Sequence, residues 1–340
     1  MTLLKQTLNA VRFVMHSMTY QYICDIIKAH QHMKYSRRGW IALLTTLVVT
    51  SAGGYAAGWF SPNETTITEL APGVFFRKSQ TEPVFLGCNQ GWVEFKDFVL
   101  VIDANFPNQA AEVAKLIKKH TNKPIRYVFD THYHGDHADG NMIYTAQGAT
   151  AIASENSQLL FDTKGLAGFR KSQQSKPDEY GPLNYEKPSL LFPRKMVIDD
   201  GTQRVELLHF GHAHTAGDAV AWLPKQGILF SGDAVVNGAF NYTGDSNTAS
   251  WIGVLTEIQT LPIKTIAPGH GEVGDEKLVP LQKRYFVELR ETIQQAIDDG
   301  KSLDEIKADI ELPFYQEWTG VDVKERTENI EFVYGELTSR

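Results

Sequence analysis

The chain has 340 residues, 42% of them hydrophobic and 21% charged, enough for one large domain or two small ones built round a core. Its net charge of −7 is unevenly spread: six Lys and Arg against one Asp before residue 60 make that stretch +5 and the remainder −12, an acidic body that excludes nucleic-acid binding through a basic surface. Two cysteines, Cys24 and Cys88, cannot supply a disulfide framework, so any metal chemistry has to rest on His and Asp.

The first element is a leader over residues 1–60. Residues 40–60 carry no charge, and the strongest apolar run is Ile41 to Val49. Ser36-Arg37-Arg38-Gly39-Trp40 stands directly before it, and small residues follow at Ser51, Ala52, Gly53, Gly54, Ala56 and Ala57. Paired arginines, a short apolar core and small residues resemble a twin-arginine export signal. An uncharged stretch of this length also suffices for a single membrane anchor. Met33, just ahead of the arginine pair, is an alternative start. Either way the expectation is an exported protein, periplasmic or tethered to the membrane and facing the periplasm.

The second domain, 61–340, alternates strand and helix patterns. Phe98 to Ile102 reads as a buried strand ending at Asp103, Asn108 to His120 as a helix, and Ile125 to Phe129 as a second strand. Residues 163–195 hold four prolines and mixed charge and read as an inserted loop expected to cover the site and set specificity. Val205 to Phe210, Ala219 to Leu223 and Gly227 to Phe230 are further strands, separated by turns. Residues 276–340 turn helical, with Leu281 to Ile297 and Leu303 to Ile310 broken at Gly300. Alternation of this kind implies sheets covered by helices.

Chemistry concentrates in Thr131-His132-Tyr133-His134-Gly135-Asp136-His137, directly after a strand pattern. In an extended loop His132 and His134 project to one side and can share an ion, and Asp136 and His137 fall beyond them, placed for a second. Imidazole and carboxylate suit zinc, and the absence of thiolates favours a catalytic site with an open position over a closed structural one. His214, Asp233 and His270 are further ligand types on Gly-flanked turns at strand ends, where functional groups collect on a rigid scaffold. His209 and His212 read as ordinary turn or sheet histidines, Cys88 as a small buried residue, and Trp251 as an aromatic packed at a helix start. Tyr133 fits a place at the site or in the packing.

Taken in order, Asp103, His-x-His-x-Asp-His at 132–137, His214, Asp233 and His270 resemble the five motifs of the metallo-β-lactamase superfamily, over roughly residues 70–275. The resemblance implies an α/β (α+β) chain folded as a four-layer αββα sandwich. It implies two zinc ions, one held by His132, His134 and His214, the other by Asp136, His137 and His270, with Asp233 bridging. Asp103 would orient ligands, and Asp136 would steer the attacking water and relay its proton. The implied activity is hydrolysis of an ester, thioester, lactone or amide bond in a small substrate. β-Lactam hydrolysis and a non-catalytic accessory role in a periplasmic relay system are the alternatives. Familiar β-lactamases carry Cys where Asp233 stands, quorum-sensing lactonases carry Tyr where Val236 stands, and flavodiiron proteins carry Glu where His134 stands. His214-Thr215-Ala216-Gly217-Asp218, Phe230-Ser231-Gly232-Asp233, Trp251-Ile252 and Pro268-Gly269-His270-Gly271 are similar to exported metallohydrolases associated with quinoprotein relay systems.

Overall fold

A computed structural model describes residues 67–80 and 87–339; the leader, with its twin-arginine-like pair, lies outside the described residues. Two sheets face each other. The first has seven strands in sequence order, β1 (Ile67–Ala71), β2 (Val74–Arg77), β3 (Gln90–Glu94), β4 (Val99–Ile102), β5 (Ile125–Phe129), β6 (Thr150–Ser154) and β7 (Leu190–Phe192). β1 to β4 form an antiparallel meander, and β4 to β7 are parallel. The second sheet has five strands, β8 (Lys195–Asp199), β9 (Arg204–Leu208), β10 (Val220–Leu223), β11 (Ile228–Gly232) and β12 (Thr265–Pro268). It is antiparallel as far as β11, which pairs in parallel with β12.

The period-two pleat sorts side chains between layers. In β4 Leu100 and Ile102 point into the inter-sheet core with Phe129, Phe230 and Ala267, whereas Val99 and Val101 point outward. That outer face is covered by α1 (Pro107–His120), whose Ala110, Val113 and Ile117 recur at helical spacing, with Tyr144 of a short helix (Asn141–Thr145) beside them. The outer face of the second sheet is covered by two long C-terminal helices, Thr248–Ile258 and Leu278–Asp298, through Trp251, Leu255, Phe286 and Leu289. The result is the αββα sandwich that the motif order implied. Among the described residues no helix is long and apolar enough to cross a membrane.

The insert departs from expectation. Residues 163–195 contain helix rather than a bare loop. A π-helical turn at Phe161–Gly165 runs into a helix over Leu166–Ser175, and Pro177–Tyr180 forms one more turn. Pro177 opens that turn rather than breaking it, because the first helical position needs no N–H donor. Phe169, 2% exposed, and Tyr180, fully buried, meet edge to face at 5.2 Å and give the insert an apolar anchor. Proline content concealed the helices, since the apolar contacts that hold them are aromatic and widely spaced in sequence.

Candidate metal centre

Every chemistry-bearing residue sits at the end of a strand. β5 ends at Phe129, and Thr131 to His134 follow as a bending loop. At Gly135 the backbone turns into a single helical turn, Gly135–Ala138, capped by the His134 carbonyl, which accepts from His137 N at 2.9 Å. That turn swings Asp136 and His137 to a different side from His132 and His134. β4 delivers Asp103, whose φ of +62° is a left-handed conformation rarely taken by a side-chain-bearing residue. Three hydrogen bonds hold it there: Thr131 N donates to Oδ1 at 2.8 Å, and Thr131 Oγ1 (3.1 Å) and His137 Nδ1 (2.9 Å) meet Oδ2. Strain tolerated at such a point marks a position the fold over-determines.

β10 is preceded by the turn bearing His214, β11 is followed by Asp233, and β12 by His270. The two strands lie close enough that Gly269 has room for no side chain. A Cβ there would overlap Asp233 Oδ1 and lie 2.8 Å from the carbonyl carbon of Gly232. The segment after Asp233 is pinned from behind: Trp251 Nε1 donates to Ala234 O at 2.9 Å, and Gln282 Oε1 accepts from Val236 N at 2.8 Å. Asn89 does the same for the His270 turn, donating to the carbonyls of Pro268 and Gly271, each at 2.9 Å.

Two clusters result. Ligand-type atoms of His132, His134 and His214 lie within 4.8 Å of one another, as do those of Asp136, His137 and His270. Asp233 stands between them, its Oδ2 3.6 Å from His214 Nε2 and 3.5 Å from His270 Nε2, its Oδ1 3.4 Å from His137 Nε2. All seven residues singled out from the sequence as metal ligands are therefore in one place.

The hydrogen-bond partners fix which ring nitrogens carry protons. His214 Nδ1 must donate to the carbonyl of Tyr242 (2.9 Å), so Nε2 is a lone pair. His134 Nε2 donates to the Asp245 carboxylate (3.1 Å), which in the neutral ring leaves Nδ1 as a lone pair. Those two lone pairs are 2.9 Å apart, and His132 Nε2 lies 3.0 Å from the same Nδ1. His137 Nδ1 meets Asp103, and its Nε2 faces the Asp233 and Asp136 carboxylates at 3.4 and 3.7 Å; burial would lower this group, but Cys88, Asp103, Asp233 and Asp136 outweigh it and hold the ring well above the usual histidine range. His137 Nε2 and Asp233 Oδ1 are buried and make no hydrogen bond. Lone pairs that face each other at 2.9 Å, with the Asp136 and Asp233 carboxylates beside them, call for positive charge between them. Five imidazoles and two carboxylates form the nitrogen–oxygen donor set that zinc takes, and the residues fit such ions.

The electrostatics agree with that division. Burial holds the His132 imidazole well below the usual histidine range, and the neighbouring His137, His134 and His214 push it further down. Burial and His134 likewise lower His214, to about 4. In the second cluster burial alone would lower His270, but Asp233 and Asp136 outweigh it and raise the group to about 9. Burial would raise Asp136, but His137 and His270 bring it down to about 2. His132 and His214 are thus held neutral, beside a second cluster whose carboxylates hold His137 and His270 protonated.

A family comparison decides the identity. The profile of the Metallo-beta-lactamase superfamily matches residues 83–270. The chain belongs to the metallo-beta-lactamase superfamily. It is 25% identical over 187 residues to a metallo-beta-lactamase type 2 of Bacillus sp. (strain 170), covering 53% of this chain and 65% of that protein. It is 25% identical over 209 residues to a beta-lactamase-like protein 2 homolog of Caenorhabditis elegans, covering 61% and 63%. The chain thus spans a little under two thirds of the length of these relatives. Among solved structures, a metallo-beta-lactamase from Pontibacter korlensis superposes with a TM-score of 0.54 at 23% identity, covering 66% of this chain and 99% of that one. At that identity the likeness speaks for the metallo-beta-lactamase fold alone.

Several site residues had no signal in the sequence. Asp245 and Tyr242 lie on the segment between β11 and the Thr248–Ile258 helix, and Lys164 on the insert; none has a motif around it. Tyr133, left open between site and packing, donates its hydroxyl to Asp245. His209 and His212 are hydrogen-bonded to the carbonyls of Asp218 and Asp245, as turn histidines would be. Trp251 is fully buried as the fourth residue of the Thr248–Ile258 helix, behind His214 at 5.7 Å between ring centres. A cavity of about 510 Å³ between the Leu278–Asp298 and Leu303–Asp309 helices is lined by none of these residues.

Proposed function

We propose that this chain is a zinc-dependent hydrolase that binds two ions and cleaves an ester, thioester, lactone or amide bond of a small substrate. The observation that carries the reading is the convergence of ligand-type atoms: His132 Nε2 and His214 Nε2 lie within 3.0 Å of His134 Nδ1, Asp136, His137 and His270 gather beside them, and Asp233 stands between the two groups. His132, His134 and His214 would hold one ion, Asp136, His137 and His270 the other, and Asp233, between the clusters, both. When bound, zinc supplies Lewis acidity and a water made nucleophilic near neutral pH.

The chain's own groups supply the rest. Asp136 has 19% of its side chain exposed against 7% for Asp233, so it is the carboxylate that incoming water and substrate can reach. It would accept the proton of the attacking water as the water oxygen bonds to the carbonyl carbon, and return it to the departing oxygen, sulfur or nitrogen. Asp103 and Thr131 keep the His137 proton on the side away from the centre. Phe240, stacked on His270 at 5.2 Å, and Tyr242, 6.2 Å from His134, give the centre an apolar wall.

The named relatives include metallo-beta-lactamases, and a β-lactam is therefore the second substrate to try. The acidic body speaks against nucleic acid as a partner. The leader over residues 1–60 favours an exported protein, periplasmic or held at the membrane. The test is metal content per chain of the purified protein, measured beside turnover of an ester, thioester, lactone and β-lactam panel. Two zinc ions with one preferred substrate is the expected result. Two ions without turnover would leave a metal-binding accessory protein.

A further inference from the structure

Each cluster contains one histidine held by a carboxylate. His137 has Asp103, a residue the motif pattern already marks. His134 has Asp245, which no motif marks. The other two histidines of the first cluster lean on neutral groups, His214 on the Tyr242 carbonyl at 2.9 Å and His132 on the Thr131 hydroxyl at 3.2 Å.

Asp245 is reached from three separate segments. His134 Nε2 and the Tyr133 hydroxyl come from the loop after β5, and the Lys164 ammonium comes from the π-helical turn of the insert. The third is the turn before β10, whose His212 Nε2 donates to the Asp245 backbone carbonyl at 2.9 Å. The carboxylate is 15% exposed, whereas the Lys164 side chain is 56% exposed, so the lysine approaches from the solvent side.

We propose that Asp245 is the positioning carboxylate of the His132–His134–His214 cluster, and that Lys164 tunes it, so that the docked insert sets the metal affinity of this cluster separately from the other. The inference rests on the zinc reading above. A carboxylate that accepts the outer N–H of a ligating imidazole fixes its tautomer and orientation and makes the inner nitrogen a stronger donor. Tyr133 and Lys164 draw on the same carboxylate, so each weakens its pull on His134. Removing Asp245 therefore loosens the ion, and removing Lys164 has the opposite sign. A carboxylate that merely stapled the loops together would loosen the ion in both cases.

The experiment is a zinc titration against a chromophoric chelator of the wild-type protein and three variants, with Co(II) absorption to report the nitrogen-rich site and circular dichroism to check the fold. The wild type should bind two ions. Asp245→Asn should weaken one of them 10- to 100-fold and alter the cobalt spectrum while the second ion stays. Asp245→Glu should recover part of the loss. Lys164→Met, a change on the surface that leaves the fold intact, should tighten the same ion a few-fold. Unchanged affinities in Asp245→Asn, equal loss of both ions, or loosening in Lys164→Met overturns the proposal while leaving the zinc reading standing. A wild-type chain that takes up no ion overturns both.

Discussion

His134 Nδ1 and His214 Nε2 face each other at 2.9 Å, and as neutral rings neither has a proton to offer the other, because each gives its N–H to an acceptor outside the cluster. Without a cation, this arrangement stores repulsion in a buried place. On the zinc reading, the fold is expected to be more stable with ions than without them.

Removal of metal is the direct check. A chain stripped by chelator should melt at lower temperature than one with added zinc. A single site at 100 times its dissociation constant adds about 2.7 kcal/mol, which is several degrees for a domain of this size. Differential scanning calorimetry across a zinc series reads it, and a melting temperature indifferent to both chelator and zinc would remove the metal centre.

Asp136→Asn separates binding from chemistry. An amide keeps one oxygen for an ion but takes up no proton at neutral pH. Hydrolysis of whichever panel substrate the wild type turns over should fall by roughly 10²- to 10⁴-fold, with the ion of the three-histidine cluster retained. Wild-type turnover in the metal-loaded variant would assign the proton transfer to another group.

Two glycines should respond with opposite signs to the same change. Gly269→Ala forces a Cβ against Asp233 and the backbone of Gly232, atoms that cannot move without disturbing the centre. It should cost about 1–3 kcal/mol and weaken metal binding. Gly253 lies within the Thr248–Ile258 helix with open space where its Cβ would go. Gly253→Ala should stabilise by about 0.5–1 kcal/mol. Urea midpoints of the two variants decide it, and equal midpoints would contradict the close approach of β11 and β12.

Acid stability has a group of its own, away from the centre. Asp200 accepts from the backbone of Lys96 (2.6 Å), Thr202 (2.9 Å) and Gln203 (3.0 Å), tying the β8–β9 turn to the β3–β4 turn. Burial would raise its carboxyl, but these donors outweigh burial and hold it well below the usual carboxylate range. A depressed folded-state value stabilises above the ordinary Asp value of about 4, and that contribution is lost as pH falls from there toward the folded value. Asp200→Asn has nothing to titrate at this position. Its urea midpoint should fall less steeply than the wild type's between pH 5 and 3, and parallel curves would deny Asp200 the role.

The sequence by itself marked the seven candidate ligand residues and implied the layer scheme. His132, His134, Asp136 and His137 are adjacent in the chain, and the strands that deliver the other three ligands are short apolar runs ending in Gly-flanked turns. These are local signals, read from residue type and period. β5 emerged at Ile125–Phe129 as expected, and the first helix began one residue before its expected start, at Pro107. Strands β1 to β3 were not legible, because a half-covered edge such as Ile67–Ala71 alternates too weakly to stand out. The helical insert was hidden by its prolines.

What only the tertiary structure decided is which proton sits on which nitrogen. Residue type says that His134 can bind an ion through either nitrogen. Asp245, 111 residues further along the chain, turns Nδ1 toward the cluster by accepting a hydrogen bond from Nε2–H. Lys164 and Tyr133 reach that same carboxylate from an insert and a loop that share no motif with it. Long-range polar contacts of this kind leave no period in the sequence, because each partner is a single residue on a turn and is placed by the packing of the two sheets.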